Sequence, residues 1–496
     1  MLSYVSILLT NLVGIALTPF IIEKLGDSEY GLYTLIGALV GYISVLDFGL
    51  NNTIVRFVAK YRAENDRSGE ENFLATTMLI YSVIAVVIVI TGIILYFNLD
   101  HFFEKSLTAE ELYKSKIMFG ILIFNLAITL PGGAFAAICS GYEQFVFPRL
   151  INIVKYVVRS MMVVAILLLG SDSIGLVLLD TAMNMLVIAI TGYYVFRKLR
   201  VRFKLHHFEF TMVKQIAAYS SWIFVIAMVG QFQWKAGQVI LGVVSGTTAV
   251  AIYGVGIMLG TYYGAFSTAI SGVFLPRATK MTVQNATGEE LTSMMIRVGR
   301  VSLLVLLMIL GGYFLFGKQF VHLWVGDTYS EAWIISMIIM VAYTLPLVQA
   351  FANSILEARS KFAFKAIIYI IFVILGTAVG TWLIRYYGVV GLTIGSTAGW
   401  ILSQFIMNVY YHRVIGINIL RFLKELTSGL LLSFIVILAI GWCFNYIPGD
   451  SWFNLVVKIG LYSCIYAAIM FKFGLNKGEA DMFLSSIPTR FRRRNI

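Results

Sequence analysis

Three basic side chains lie deep inside long apolar stretches of the sequence, where a charge is costly and therefore points to function. Lys155 and Arg159 are four residues apart, and Lys235 lies in a later stretch. Residues four apart share one face of a helix, so the first two can face the same cavity. Cations in a cavity suit an anion, and the planar guanidinium of arginine matches phosphate oxygens. The sequence therefore predicts a diphosphate-binding site at these three residues.

Each of these cations also has a structural explanation. Lys155 and Arg159 could extend along their helix to the water at the inner surface, as long basic side chains do. Lys235 could form a structural pair with an acid such as Asp180, which lies in another apolar stretch. The sequence leaves the functional and the structural explanations open.

A polar run precedes Lys235 in the middle of its apolar stretch. Gln231, Gln233 and Trp234 place two amides and an aromatic ring there. Because amides can hydrogen-bond hydroxyl groups beside an aromatic face, we predict a sugar-binding site at these residues. The alternative is hydrogen bonding between neighbouring helices, a common use of polar side chains in membranes.

Two acids, Asp47 and Asp180, also lie in apolar stretches. Asp47 precedes Arg56 by nine residues, which places it about 13 Å from the inner surface at the rise of an α-helix. Either acid could bind an ion that drives transport, or could hold neighbouring backbone and side chains in place. We further predict that Arg56 and Arg277 form a gate at the cytoplasmic face.

The composition indicates which elements must position these residues. The chain is 59% hydrophobic and 12% charged, with a mean hydropathy of +0.86, whereas soluble domains are about 25% charged. So much apolar surface excludes a water-soluble fold and predicts an all-α protein that crosses the membrane many times. The apolar runs predict fourteen transmembrane helices, centred on residues 4–22, 30–52, 73–97, 117–138, 147–169, 174–196, 217–244, 248–273, 300–317, 332–354, 364–384, 389–411, 427–446 and 453–472.

The formal net charge of +12 does not indicate a nucleic-acid partner, because the cytoplasmic loops of membrane proteins are rich in lysine and arginine. With the amino terminus inside, 27 of the 37 lysines and arginines fall on inner segments and six on outer segments. We therefore expect both termini in the cytoplasm.

The sequence contains no pattern for redox, metal or enzymatic chemistry. Cys139, Cys443 and Cys464 lie in apolar runs without CxxC spacing, and the five histidines form no metal-binding motif. No nucleotide-binding loop or nucleophile elbow is present. We therefore predict no disulfide, no metal site, no cofactor and no enzymatic activity.

The second half of the sequence repeats features of the first. The matched residues, separated by 216–220 positions, include Gly26 with Gly246, Tyr33 with Tyr253, Phe147 with Phe364 and Tyr194 with Tyr410. Each half holds six predicted spans, so both halves begin on the same side of the membrane and the repeat is parallel. We predict a six-helix lobe at 1–212, a second at 213–425, two additional helices at 426–475 and a basic cytoplasmic tail at 476–496.

Two segments carry a family resemblance. Leu25-Gly-Asp-Ser-Glu-Tyr-Gly-Leu-Tyr33 followed by Leu46-Asp-Phe-Gly-Leu50 resembles the Wzx-type polysaccharide-unit flippases of the MOP exporter superfamily, which also contains the MATE drug exporters. The resemblance implies a MATE-like fold with two lobes around a central cavity. It also implies movement of a polyprenyl-diphosphate-linked oligosaccharide from the inner to the outer leaflet for O-antigen or other lipopolysaccharide and surface polysaccharide assembly.

The same resemblance implies a multi-pass protein of the bacterial cytoplasmic membrane. Its expected partners are the lipid-linked oligosaccharide, the lipid bilayer and other membrane proteins of polysaccharide assembly, with no nucleic acid. We expect a monomer that works by alternating access.

Two other functions remain open from the sequence. A cation-coupled MATE-type multidrug exporter would share the fold, but such exporters need acids in the cavity, and the first span at 4–22 has no carboxylate. A membrane glycan polymerase or ligase would need an outer active site, and the outer segments at 98–116 and 318–331 are short.

Overall fold

The computed structural model describes residues 2–47, 49–208, 210–272, 275–359, 361, 363–476 and 479. These residues form seventeen α-helices and no strand. The helices are α1 (Leu2–Leu25), α2 (Asp27–Ser44), α3 (Leu50–Ala63), α4 (Arg67–Phe103), α5 (Ala109–Gly141), α6 (Val146–Leu168), α7 (Ser173–Arg197), α8 (Phe210–Val244), α9 (Thr247–Gly272), α10 (Leu275–Val283), α11 (Gly288–Val325), α12 (Ser330–Val348), α13 (Ala350–Ala358), α14 (Ala363–Tyr410), α15 (Ile419–Thr427), α16 (Leu430–Trp442) and α17 (Trp452–Ile469).

The helices have the length and surface expected in a membrane. Among the residues that the structure describes, eleven helical segments are long and apolar enough to span a bilayer. Val83, Val86 and Ile90 of α4 are exposed, whereas Tyr81 and Ile88 of the same helix are buried. An apolar side chain on the exposed face is favourable only where lipid surrounds the helix. The predicted all-α, multi-pass fold class is confirmed, and the number of fourteen spans stays a prediction.

Contacts divide the chain into two units. The first comprises Met1–Val255 and Ala366–Gly399, and the second comprises Gly256–Lys365 and Trp400–Ile496. In the first unit α5 packs against α2, α3, α4 and α7, and α8 packs against α2. In the second unit α11 packs against α12, α13, α15, α16 and α17. The predicted lobe boundaries stay a prediction, because the units group residues by contact and not by repeat. The basic tail beyond residue 479 lies outside the described residues.

The second predicted span is broken where a single helix was expected over 30–52. α2 ends at Ser44, a 3-10 turn follows at Val45–Asp47, and α3 begins at Leu50. Gly49 between them has a φ of 67°, a left-handed conformation that glycine adopts without a steric cost. The helix is therefore interrupted within the Leu-Asp-Phe-Gly-Leu motif, and Asp47 lies at the break.

Matched positions of the predicted repeat adopt the same local structure. The rings of Phe147 and Tyr194 stack with centroids 3.8 Å apart, and those of Phe364 and Tyr410 stack at 4.3 Å. The turn glycines also agree, with a φ of 82° at Gly26 and 83° at Gly246. These features agree with the repeat inferred from the sequence.

The helical hairpin of α14 depends on glycine. The chain reverses at Gly388, whose φ is 55°. The reversal produces two helical arms, one before and one after Gly388. A Cβ added to Gly395 in the second arm would lie 2.2 Å from the backbone nitrogen of Gly380 in the first. The arms can approach this closely only because both positions lack a side chain, as in other membrane helix pairs with small residues at the contact.

A buried ion pair holds the segment after α17 against α11 in the second unit. Arg300 of α11 is 4% exposed and Glu479 is 6% exposed, and the guanidinium donates to both carboxylate oxygens at 2.5 and 3.1 Å. Arg300 also donates to the carbonyl oxygens of Glu425, Ser428 and Gly474 at 2.7, 2.8 and 3.0 Å. Arg300 is one of the 27 cations that the sequence assigned to inner segments, and the structure shows that it is buried and holds the segment after α17.

Candidate functional site

The arginine predicted to bind phosphate is held by an acid of the next helix. Arg159 of α6 donates through Nε to Oδ1 of Asp180 on α7, and through Nη2 to Oδ2 at 2.9 Å. Tyr33 of α2 donates its hydroxyl to the same Oδ2 at 3.1 Å. The side chains of Arg159 and Asp180 are 23% and 24% exposed. This is a two-pronged pair that fixes the geometry of both groups.

Lys155 belongs to the same set of contacts, one turn before Arg159 on α6. Its Nζ donates to Oδ1 of Asn184 at 2.5 Å, and Nδ2 of Asn184 donates to Oδ1 of Asn125 at 3.1 Å. Thr129 donates to that same oxygen at 2.7 Å. The α6 cluster, defined as Lys155, Arg159, Asp180 and Asn184, thus keeps one net positive charge instead of two.

Asp180 therefore pairs with Arg159. The sequence alone suggests Lys235 as a partner instead. Among the residues described, Lys235 of α8 makes no hydrogen bond or ion pair and is half-buried. A half-buried cation without a counter-charge among the described residues is costly, because burial removes part of its hydration. The structure thus separates the three predicted cations into two that are held by side chains of α7 and one that has no partner in the described part of the chain.

Lys235 lies against α2 at a position where α2 has a glycine. Gln231 lies one turn before Lys235 on the same face of α8. Gly41 of α2 lies opposite, where an added Cβ would be 3.3 Å from Oε1 of Gln231 and 3.9 Å from Cγ of Lys235. The rings of Tyr42 and Phe232 meet edge to face at 5.3 Å beside this site. The α8 site, defined as Gln231, Lys235 and Gly41, combines an amide, a cation and an aromatic border.

The other two residues of the predicted sugar site do not share this face. Gln233 is two positions from both Gln231 and Lys235, and residues two apart on a helix do not face each other. Trp234 lies between Gln233 and Lys235 in the sequence and interacts with other residues. The structure therefore brings Gln231 to Lys235 but directs Gln233 and Trp234 elsewhere around α8.

α2 connects the two groups of polar residues. Tyr33 contacts the α6 cluster, and Gly41 belongs to the α8 site, where it faces Gln231 and Lys235. Eight residues separate them, which is about 12 Å along a helix axis. The α6 cluster and the α8 site are thus arranged along one helix within the first unit.

Asp47 has partners at the break after α2. Tyr81 of α4, which is fully buried, lies with its hydroxyl 3.2 Å from Oδ1 of Asp47 and 3.3 Å from Oδ1 of Asn51. The structure thus gives Asp47 the neighbours that a structural role requires, without testing the ion-coupling alternative. No feature of the sequence selects Tyr81, because tyrosine is common in membrane helices.

The two predicted gate residues are both exposed. Arg56 lies on α3 in the first unit, and Arg277 lies on α10 in the second. Arg277 lines a cavity together with Lys280 and Glu290. The gate itself stays a prediction.

A further polar cluster at the start of α2 was missed in the sequence. Glu111 of α5 accepts hydrogen bonds from Ser28 of α2 and from Thr247 of α9, the latter at 2.7 Å. Gly31 is packed so tightly that an added Cβ would lie 1.9 Å from the carbonyl oxygen of Thr247. The available signal was the capping box of Thr108 and Glu111, which marks the start of α5. This cluster holds the beginning of α2 against the beginning of α9.

The comparison with protein families decides the family. A model described as "Polysaccharide biosynthesis protein" matches residues 1–282, which is more than half of the chain. The chain belongs to this family. The resemblance to polysaccharide flippases of the MOP exporter superfamily, inferred above from two sequence segments, is confirmed.

Relatives of this polysaccharide biosynthesis protein are distant but extend over nearly its whole length. The "Putative O-antigen transporter" of Shigella flexneri is 19% identical over 415 residues, covering 82% of this chain and 95% of the relative. The "Uncharacterized membrane protein EpsK" of Bacillus subtilis is 21% identical over 504 residues, covering 98% and 96%.

Solved structures of transport proteins have the same fold as this chain. The lipid II flippase MurJ in an inward closed conformation matches with a TM-score of 0.70 at 14% identity, over 95% of this chain and 98% of that one. An inward-facing MATE multidrug transporter matches with a TM-score of 0.62 at 14% identity, over 85% and 95%. The MATE-like fold is thus confirmed, and the functions named among these proteins are transport and flipping. The prediction of no enzymatic activity agrees with these comparisons, in which the proteins named by function are transporters and flippases.

Proposed function

We propose that this polysaccharide biosynthesis protein is a flippase for a polyprenyl-diphosphate-linked oligosaccharide. It moves the headgroup from the inner to the outer leaflet of the bacterial cytoplasmic membrane by alternating access. The observation that carries the proposal is Lys235, a half-buried cation without a partner among the described residues. An anionic ligand would relieve the cost of this lone charge, and a diphosphate supplies both charge and acceptor oxygens.

The physical problem is a hydrophilic headgroup that is expensive to move through hydrocarbon. A polar cavity keeps the sugars hydrated or hydrogen-bonded while the prenyl tail remains in lipid. The names of the relatives support this assignment, since one is called an O-antigen transporter and another fold neighbour a lipid II flippase.

The roles follow from the contacts. Lys235 binds the diphosphate, and Gln231 on the same helix face hydrogen-bonds the first sugar. Lys155 adds positive potential from the α6 cluster. Arg159 is a positioning residue, because its guanidinium is occupied by Asp180 and Tyr33. Gln233 and Trp234 bind sugars further from the diphosphate.

The cluster of Ser28, Glu111 and Thr247 acts as the outer gate in this proposal. With the amino terminus inside, α1 ends and α2 begins at the outer face. The hydrogen bonds of Glu111 to Ser28 and Thr247 then hold that end closed and must break when the headgroup leaves. Arg56 and Arg277 form the opposite gate, and both termini are cytoplasmic.

A second candidate is a cation-coupled drug exporter. Asp47 favours it, because a carboxylate at a helix break is a reasonable site for a coupling ion. Drug-susceptibility profiling of a deletion strain separates the candidates, since an exporter predicts hypersensitivity and a flippase predicts loss of surface polysaccharide.

The decisive experiment measures translocation of a fluorescent lipid-diphosphate-oligosaccharide in proteoliposomes. We compare the wild type with Lys235→Gln and with Lys214→Gln, which removes an exposed cation of the same helix. Translocation by the wild type and by Lys214→Gln, with loss in Lys235→Gln, supports the proposal. Equal rates in all three would exclude Lys235 as the diphosphate ligand.

A further inference from the structure

A basic cavity lies apart from the α6 cluster and the α8 site, where the turn between α3 and α4 meets the segment after α7. It has a volume of about 480 Å³, within the range of about 300–1,000 Å³ found for small-molecule sites. Its charged lining consists of Arg62, Arg67, Arg200, Arg202, Glu70 and Glu71. Four arginines against two glutamates leave an excess of two positive charges.

The acids of this cavity are already engaged. Glu71 pairs with Arg67 at 3.7 Å and contacts the ring of His206 at 3.1 Å. Glu70, which is 8% exposed, accepts a hydrogen bond from the hydroxyl of Tyr142 at 2.7 Å. Burial and this neighbouring carboxylate raise the pKa of the Tyr142 hydroxyl, so it remains protonated as the donor.

Three of the four arginines differ from Arg67, which pairs with Glu71. Within the part of the chain that the structure describes, Arg62, Arg200 and Arg202 form no ion pair. The guanidinium of Arg62 lies over the ring of Tyr142 at 4.0 Å, a cation–π contact that fixes its position while leaving its N–H groups free at the edges. A positioned guanidinium loses less entropy when it binds a ligand than a mobile one does.

The segment that carries the other two arginines is held in an uncommon conformation. Arg200 has a φ of 55°, in the left-handed region that non-glycine residues rarely adopt. The segment is docked because Asn72 accepts hydrogen bonds from the backbone N–H groups of His206 and His207 at 3.0 and 3.2 Å. Val201, between the two arginines, is buried. Burying Val201 directs its neighbours Arg200 and Arg202 outward, and both line the cavity.

We propose that this cavity binds a phosphate-bearing anion, as the headgroup of an anionic phospholipid or as a free phosphate or diphosphate. Arg62 and Arg202 supply forked donors for phosphate oxygens, and the excess of positive charge favours an anion. The cavity lies at the polar end of α4, just before the apolar run that makes this helix long and apolar enough to span a bilayer. Basic pockets between membrane helices bind lipid headgroups in this manner.

The test uses the full chain purified in a neutral detergent and measures binding through the shift of its thermal unfolding temperature. The probes are inorganic pyrophosphate, short-chain phosphatidylglycerol and, as a control, phosphatidylcholine of the same chain length. The variant Arg62→Gln/Arg202→Gln is compared with Lys204→Gln, which removes an exposed charge from the same segment without touching the cavity. Arg62→Lys keeps the charge but removes the fork.

We expect phosphatidylglycerol to raise the unfolding temperature of the wild type and of Lys204→Gln in a saturable way. Affinity should fall about tenfold or more in the double variant, with an intermediate loss in Arg62→Lys. Binding of pyrophosphate as well identifies the phosphate itself as sufficient, and binding of the lipid alone identifies the headgroup. If neither probe binds, or if the double variant binds like the wild type while unfolding at the same temperature without ligand, the proposal is wrong. Because translocation is not the readout, failure here leaves the flippase proposal intact.

Discussion

The α6 cluster and the α8 site contain the same kind of charge in different surroundings. Arg159 is matched by Asp180 and by the hydroxyl of Tyr33, whereas Lys235 has no counterpart among the residues described. A cation whose acid lies in the same unit is already neutralised before any ligand arrives. The comparison therefore indicates that Lys235 at α8 differs from Arg159 in having no acid among the described residues, while the α6 cluster keeps the single charge of Lys155, although all three cations looked equivalent in the sequence.

The two cations should respond to mutation in opposite ways. Removing one member of a buried pair leaves the other charge uncompensated, which is strongly destabilising. Removing a lone buried charge relieves its desolvation and is neutral or stabilising. Stability and transport measured together thus separate a structural cation from one that binds substrate.

Arg300 is the most completely paired of the described cations discussed above. Its substitution should therefore cause the largest loss of stability. Arg300→Met should lower the free energy of unfolding by about 3 kcal/mol or more, since it leaves Glu479 buried and three carbonyl oxygens without their donor. Thermal and denaturant unfolding in detergent would measure the loss. Lys318→Met, at an exposed position of the same helix, is the control and should change stability by about 0.5 kcal/mol at most. Equal effects of the two substitutions would show that the pair with Glu479 is not an anchor.

Lys235 is expected to show the largest functional effect. Lys235→Gln should slow translocation of the lipid-diphosphate-oligosaccharide about 100-fold, because the diphosphate loses its charged ligand, while the unfolding temperature stays unchanged or rises. Lys235→Arg should retain a substantial part of the rate. The measurement is the initial rate in proteoliposomes at matched protein content. A lower unfolding temperature in Lys235→Gln would contradict the view that this cation is unpaired.

Arg159 tests the other side of the comparison. Arg159→Met should cost about 2 kcal/mol of stability, a value reduced from that of a fully buried pair because both side chains remain partly exposed. The double variant Arg159→Met/Asp180→Asn should regain much of that loss, since it removes both charges together. A double-mutant cycle by denaturant unfolding gives the coupling. Additive effects would mean that Asp180 does not hold Arg159.

Some of this arrangement could be predicted from the sequence. The helices follow from apolar runs of sufficient length, and the matched Phe147–Tyr194 and Phe364–Tyr410 positions predicted a repeat whose two ring stacks the structure contains. Such features depend on local composition or on the comparison of two halves of one chain. Both kinds of information are present in a single sequence.

The pairing of charges could not be predicted in the same way. Asp180 follows Arg159 by 21 residues, on a different helix, and only the packing of α6 against α7 brings them together. From the sequence alone, Lys235 was an equally good candidate for the partner of Asp180. Asn184 and Tyr81 gave no signal at all, because neither residue type is unusual in a membrane helix. The break at Gly49 was visible as a motif, yet its apolar neighbours predicted one continuous span.

Substitution of Asp47 should have the smallest effect on stability and transport. It tests whether an acid that has partners plays a structural role, as we infer for the cations that have partners. Asp47→Asn keeps an acceptor for the hydroxyl of Tyr81, so stability should change by only about 1 kcal/mol and the translocation rate by about twofold. Tyr81→Phe, which removes the donor, should have a similar effect on stability. The rate is measured in proteoliposomes with and without a proton or sodium gradient. If Asp47→Asn abolishes the response to a gradient that accelerates the wild type, Asp47 binds the coupling ion despite its partner, and pairing alone does not distinguish structural from functional charges in this protein.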